Sequence, residues 1–180
     1  MADKRRQRIE SYLDRLAGYA VCLTNDRDQA RELVQDCALR ALSAQRVPQD
    51  EPAYRAWVFT ILRNLHVDRL RRRRQPPESL GEAESAPSWQ VWQFDEALIT
   101  GITVRVGMAR LRPAQREILG LVDIAGFSYA ETARILEIAP GTVMSRLSRA
   151  RQALLVALAD SNVHPFPARR RKTGPHRSSR

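Results

Sequence analysis

The chain has 180 residues, enough for one large or two small domains, and 43% of them are hydrophobic, an ordinary share for a globular protein. Lys and Arg number 30 against 20 Asp and Glu, a net charge of +10, which points to a polyanionic partner, either nucleic acid or an acidic surface. No apolar run approaches the roughly 20 residues of a membrane span, and the basic start MADKRRQRIE lacks the apolar core of a signal peptide, so no membrane insertion and a reducing cytoplasm are expected.

In chain order, Ile9, Leu13, Leu16, Ala20 and Leu23 keep helical spacing and predict a first helix over about 8–23. Thr24 to Arg27 interrupts it with capping-type residues. A second helix is predicted over 28–44, its inner face formed by Ala30, Leu33, Val34, Cys37 and Ala41, its outer face by Arg31, Glu32, Gln35, Asp36 and Arg40. Cys37 lies on the apolar stripe, so it reads as a buried free thiol. With Cys22 it offers neither metal-ligand nor disulfide-framework spacing.

A polar loop, Gln45 to Pro52, leads into a third helix over 53–74. Tyr54, Val58, Ile61 and Leu65 form its predicted core stripe, with Trp57 beside it. It ends in four consecutive arginines, Arg71 to Arg74. Positive charge suits a helix C-terminus, but four in a row exceed what capping needs, and contact with a nucleic acid explains the run equally well.

Composition changes at Gln75 to Pro87, QPPESLGEAESAP, an acidic Pro/Glu/Ser-rich linker and a domain boundary. Trp89 and Trp92 follow and are expected to pack within the molecule. A helix over 95–112 is weakened by Gly101 and Gly107. Pro113 opens the next helix, whose inward residues are Ile118, Leu121, Val122 and Ala125, with Gly126 closing it.

From Ser128 to Arg151 the sequence reads as a short helix, a tight turn and a second helix with an arginine-bearing face. Ser128 and Glu131 have the spacing of a capping box, Ala133 and Leu136 face inward, and Pro140–Gly141 is the predicted break. Thr142 is the predicted cap of the second helix, on which Val143, Leu147, Ala150 and Leu154 form an apolar stripe. This is helix-turn-helix spacing, and a B-DNA major groove admits one such helix. An αα-hairpin of a bundle with a solvated basic face satisfies the same pattern. The chain ends in a proline-bearing basic tail that is expected to be disordered.

The organisation is therefore all-α: two small helical domains joined by a flexible acidic linker. No Gly-rich phosphate loop, paired histidine ligands or Ser/His/Asp arrangement stands out. His66, His164 and His176 are far apart. No catalytic activity, cofactor or metal is expected.

With both halves in view, the sequence resembles the extracytoplasmic-function (ECF) sigma factors, of the sigma-70 family, of bacterial RNA polymerase. The segments NDRDQARELVQDCALRAL and RAWVFTILRNLHVDRLRRRRQ are similar to sigma region 2. LRPAQREILGLVDIAGFSYAETARILEIAPGTVMSRLSRARQAL is similar to sigma region 4. The implied layout is region 2 over 8–75, a linker over 76–107, region 4 over 108–160 and a basic tail over 161–180.

The resemblance implies residue roles. Leu33, Gln35, Asp36 and Arg40 correspond to the surface that grips the clamp helices of the polymerase β′ subunit. The loop Gln45–Pro52 corresponds to the segment that captures a base flipped from the −10 element. Trp57, Arg63 and Asn64 correspond to the promoter-melting, non-template-strand surface, with Arg69, Arg71 and Arg72 holding phosphates. In the helix-turn-helix, Thr142, Met144, Ser145, Arg146, Ser148, Arg149 and Arg151 correspond to the −35-reading helix. Met144 stands where many relatives carry Lys or Arg, which removes a hydrogen-bond donor, and Glu137 stands where glycine is common.

The implied partners are core RNA polymerase (β′ clamp helices and β flap), promoter DNA and an anti-sigma factor. The implied function is promoter-directed initiation with assistance to melting. The alternative is a sigma-like regulatory module that sequesters an anti-sigma factor without directing initiation.

Overall fold

The computed structural model describes residues 2–74 and 106–159. The first unit contains α1 (Ala2–Glu10), α2 (Leu13–Thr24), α3 (Arg27–Ser43) and α4 (Glu51–Arg74). The second contains α5 (Pro113–Leu119), which runs directly into a π-helical turn (Gly120–Ile124), then α6 (Tyr129–Leu136) and α7 (Pro140–Ala159). Every regular element among the described residues is helical, as the sequence pattern requires. None of these helices is long and apolar enough to cross a membrane. The acidic linker, Trp89, Trp92 and the basic tail lie outside the described residues, as does most of the helix predicted over 95–112, of which 106–109 are helical.

Local chemistry sets the boundaries. Asn25 takes the left-handed conformation (φ 54°) that ends α2, its N–H donating to Val21 O, and the Asp26 side chain accepts from Gln29 N to start α3. Asp50 caps α4 by accepting from Ala53 N at 2.9 Å. Pro113 opens α5, and the Ser128–Glu131 capping box opens α6 in both directions. Glu137 closes α6 at φ 56°, the conformation for which a glycine is usual.

Three predicted elements differ from the structure. The first helix is two, α1 and α2, because the chain turns at Ser11–Tyr12, where Tyr12 N donates to Ile9 O. The apolar spacing continues across this break and hides it. Pro140 and Gly141 do not break the helix-turn-helix but begin α7, since proline at a first helical position loses no hydrogen bond. Thr142 consequently lies inside the first turn rather than at the cap, and the turn itself is Glu137–Ala139. On α4 the fully buried residues are Val58, Phe59 and Leu62, whereas Ile61 and Leu65 are only partly buried. That helix is covered by α3, α2 and α6, so its buried arc is wider than one stripe.

The two units share a core. Leu121, Ala125, Phe127 and Ile135 of the second unit join Leu16, Tyr19, Leu33, Val58, Phe59 and Leu62 of the first in one apolar cluster. Phe127 meets Phe59 edge-on, ring centroids 4.9 Å apart and planes at 81°. The π turn, in which Ala125 N bonds back five residues to Gly120 O at 2.9 Å, carries Leu121 and Ala125 into that cluster. Gly120 permits the approach: a Cβ there would stand 2.8 Å from Tyr19 Cδ2 and 2.9 Å from Cys22 Cβ. A second, smaller cluster of Leu111, Ile118, Leu119, Ala133, Val143, Leu147, Ala150 and Ala157 holds the helix-turn-helix together.

Candidate nucleic-acid and polymerase interface

On α7 the spacing that buries Val143, Leu147 and Ala150 leaves Met144, Ser145, Arg146, Ser148, Arg149 and Arg151 on the exposed side, and Met144 is 57% exposed. Thr142 is half-buried, its carbonyl accepting from Ser145 Oγ at 3.2 Å. Arg149 lies along its own helix, Nε donating to Ser145 O at 3.1 Å. Arg151 is held across the unit by Asp123 at 2.6 Å, which raises its pKa further above the ordinary value. A shallow groove of about 680 Å³ flanks this face, lined by Tyr129, Met144, Ser148, Arg151, Gln152 and Leu155.

The side chains of α4 are placed differently. Asn64 is exposed, and so are Arg71 and Arg72 in the last turn. Trp57 is half-buried against the Tyr54 ring, centroids 5.6 Å apart, so part of its face belongs to the core. Arg63 reaches the second unit and pairs with Glu117 at 2.8 Å, both side chains about three-quarters buried. Arg55, which sequence reasoning missed, donates from Nη2 to Ala125 O at 2.8 Å and lies over the Phe127 ring at 4.0 Å. Arg116 reaches the other way, Nε donating to Cys22 O at 3.0 Å. His66, half-buried, has its pKa lowered, first by burial and then by Arg116, Arg69 and Arg73.

On α3, Leu33 is completely buried and belongs to the core, which removes it from any surface that a partner could grip. Its register on the apolar stripe is the physical reason. Asp36 and Arg40 are exposed and Gln35 is half-buried. Leu39, 62% exposed, and Leu42 extend this surface at positions four and seven beyond Gln35. Sequence reading passed over them, although leucines off a well-defined inner stripe were the available signal. Asp36 also accepts from Arg69 Nη2 at 2.5 Å, with Glu32 3.6 Å from the same guanidinium. One ion-pair cluster thus joins residues for which the family resemblance implies two different partners.

The loop between α3 and α4 is tied to α1. Arg8 donates from Nη1 to Pro48 O (2.9 Å), from Nη2 to Gln49 O (3.0 Å) and Asp50 O (3.1 Å), and from Nε to Glu51 Oε2 (2.8 Å). Its guanidinium also lies over the Tyr54 ring at 3.9 Å. Glu51 accepts from Tyr12 as well, and these donors lower its pKa, while Tyr12 is pushed up to about 12, mainly by burial. Cys22 and Cys37 are buried thiols raised to about 11 and about 12 by desolvation, so neither is a ready thiolate. No group of metal-ligating side chains occurs among the described residues.

Comparison with known proteins places this geometry in a family. The family model of Sigma-70 region 2 matches residues 8–75 and that of Sigma-70, region 4 matches residues 103–154. The chain is 35% identical over 92% of its length to the ECF RNA polymerase sigma factor EcfG of Rhodopseudomonas palustris, covering 91% of that protein. It is 34% identical over 81% of its length to SigL of Mycobacterium tuberculosis, covering 83% of it. Among solved structures, the sigma factor RpoE of Bartonella quintana, in complex with the anti-sigma factor NepR, superposes with a TM-score of 0.65 at 30% identity, over 86% of this chain and 96% of that one. CnrH, in complex with the cytosolic domain of CnrY, gives 0.61 at 25% identity, over 86% and 88%.

Proposed function

This chain belongs to the extracytoplasmic-function sigma factors of the sigma-70 family, which serve promoter-specific transcription initiation, and on that premise we propose how its surfaces divide the work. Helix α7 enters the major groove of the −35 element, where Arg146 and Arg149 meet phosphates or guanine edges and Ser145 and Ser148 meet bases or backbone. Core RNA polymerase takes the outer face of α3, with Gln35, Asp36, Leu39 and Arg40 against the β′ clamp helices, and the β flap lies over the second unit. The loop at 45–50, which is the predicted segment Gln45–Pro52 less Glu51 and Pro52 that begin α4, receives a base flipped from the −10 element. Asn64, with Trp57 beside it, stabilises the opened non-template strand, and Arg71 and Arg72 hold its phosphates. The polymerase performs the chemistry in the cytoplasm, and this chain contributes recognition and melting.

The observation that carries this reading is the exposed polar face of α7, standing on a buried Val143–Leu147–Ala150 stripe in a chain that matches both sigma regions in order. In the docked arrangement Arg63 is engaged by Glu117, so its contact with DNA follows separation of the two units. An anti-sigma factor is the proposed regulator, in line with the partner of RpoE in its solved complex. The test is run-off transcription with purified core polymerase on a genomic fragment library, with and without the protein. New start sites that share spaced upstream motifs are the expected result. A folded protein that yields no transcripts would instead be the sequestering module, and its anti-sigma partner would be captured by pull-down.

A further inference from the structure

Helix α1 makes contacts that sigma function has not absorbed, and all but its last three residues precede the matched region. Arg5 donates from Nη1 to Ala44 O, at the start of the α3–α4 loop, at 3.1 Å. Arg8 spends four N–H bonds on the loop's far end: three on the carbonyls of Pro48, Gln49 and Asp50 and one on the Glu51 carboxylate. Its side chain is only 21% exposed. These bonds fall mainly on main-chain oxygens, so the loop backbone is fixed while Gln45, Arg46 and Gln49 remain exposed. A planar, five-donor guanidinium can satisfy several carbonyls at once, which a lysine ammonium cannot do in the same geometry. A loop without regular secondary structure would otherwise lose conformational freedom on binding a ligand, and prior fixing removes that penalty.

We propose that Arg8 is a positioning residue for −10 recognition: it holds the loop at 45–50 in the shape that receives the flipped base, without touching the base itself. The inference rests on the loop's proposed role as the base-receiving segment. Holoenzyme is assembled with wild type, Arg8→Lys, Arg8→Ala and a loop variant carrying Arg46→Ala with Gln49→Ala, each in the full chain. Every holoenzyme transcribes one pooled set of templates, built on a promoter from the run-off experiment, in which each −10 and −35 base is varied singly. The readout is the ratio of transcripts from preferred and substituted bases within one preparation, which does not depend on how much of a variant is folded.

The expected result is a loss of about tenfold in preference at one −10 position for Arg8→Ala, matching the position affected by the loop variant. Arg8→Lys should fall in between, and −35 preferences should be retained in all. If the loop variant flattens the −10 preference while both Arg8 variants reduce every transcript in proportion, Arg8 is a stabilising residue only and the proposal is overturned. If the loop variant leaves the −10 preference intact, the base-receiving role of the loop fails first and the role of Arg8 falls with it.

Discussion

The faces of α4 and α7 are both arginine-bearing, yet their side chains are committed in opposite ways. On α7, Arg149 bonds within its own helix, Met144, Arg146 and Ser148 stand exposed, and Arg151 reaches Asp123 elsewhere in the unit. On α4, Arg55 and Arg63 cross to the second unit and Arg69 is shared by Asp36 and Glu32, while Arg71 and Arg72 in the last turn are exposed. A preformed, exposed helix can meet duplex DNA without rearrangement. A surface on which Arg63 and Arg69 already have protein partners must exchange them, which suits a later and more conditional step such as melting.

The contrast is broken most completely by removing the seam on which α4 depends. Phe127→Ala deletes a buried ring of the second unit that packs edge-on against Phe59 of the first, and a loss of about 3–5 kcal/mol is expected. Urea unfolding measures it. A loss below about 1 kcal/mol would mean that the shared core does not hold the units together in solution. A smaller effect separates the two kinds of arginine contact. Glu117→Gln leaves Arg63 without its acid in a partly buried seam and should cost about 1–2 kcal/mol. Asp123→Asn, at the more exposed Arg151 pair, should cost no more than about 1 kcal/mol. Equal losses at the two sites would erase the distinction.

The smallest expected effect concerns pH. The pKa of His66 in the folded chain lies below the ordinary value of 6.5, so the unfolded chain binds the proton first. Stability is therefore full above pH 6.5 and declines as pH falls through that value toward the folded-state pKa. His66→Gln should flatten this part of the stability profile. An unchanged slope between pH 7 and about 5.5 would assign the acid sensitivity to other groups.

How much of this was legible in the sequence depends on the range of the interaction. The α3 inner face and the Ser128–Glu131 capping box were readable because periodicity and capping are local. So was Gly126, which takes φ 73° where the chain leaves the π turn. The break at Tyr12 was hidden because Ile9 and Leu13 keep helical spacing on either side of it. Assigning Leu33 to a partner surface conflicted with its place on the apolar stripe, and burial decides that conflict. The seam itself left no mark: Arg63 and Glu117 are 54 residues apart, and Arg55 and Ala125 are 70. The π turn that brings Leu121 and Ala125 to the first unit has no sequence pattern distinct from a helix.

The most direct test of the division between α7 and α4 crosses two variants against two steps. Arg149→Ala and Asn64→Ala holoenzymes are compared with wild type for promoter binding as a function of salt and for permanganate reactivity of the −10 region per bound complex. Arg149→Ala should weaken binding and lower the salt slope by about one while opening per bound complex is unchanged. Asn64→Ala should leave binding and slope intact and reduce permanganate reactivity. If both variants impaired the same step to the same degree, the two helices would share one task and the division would be wrong.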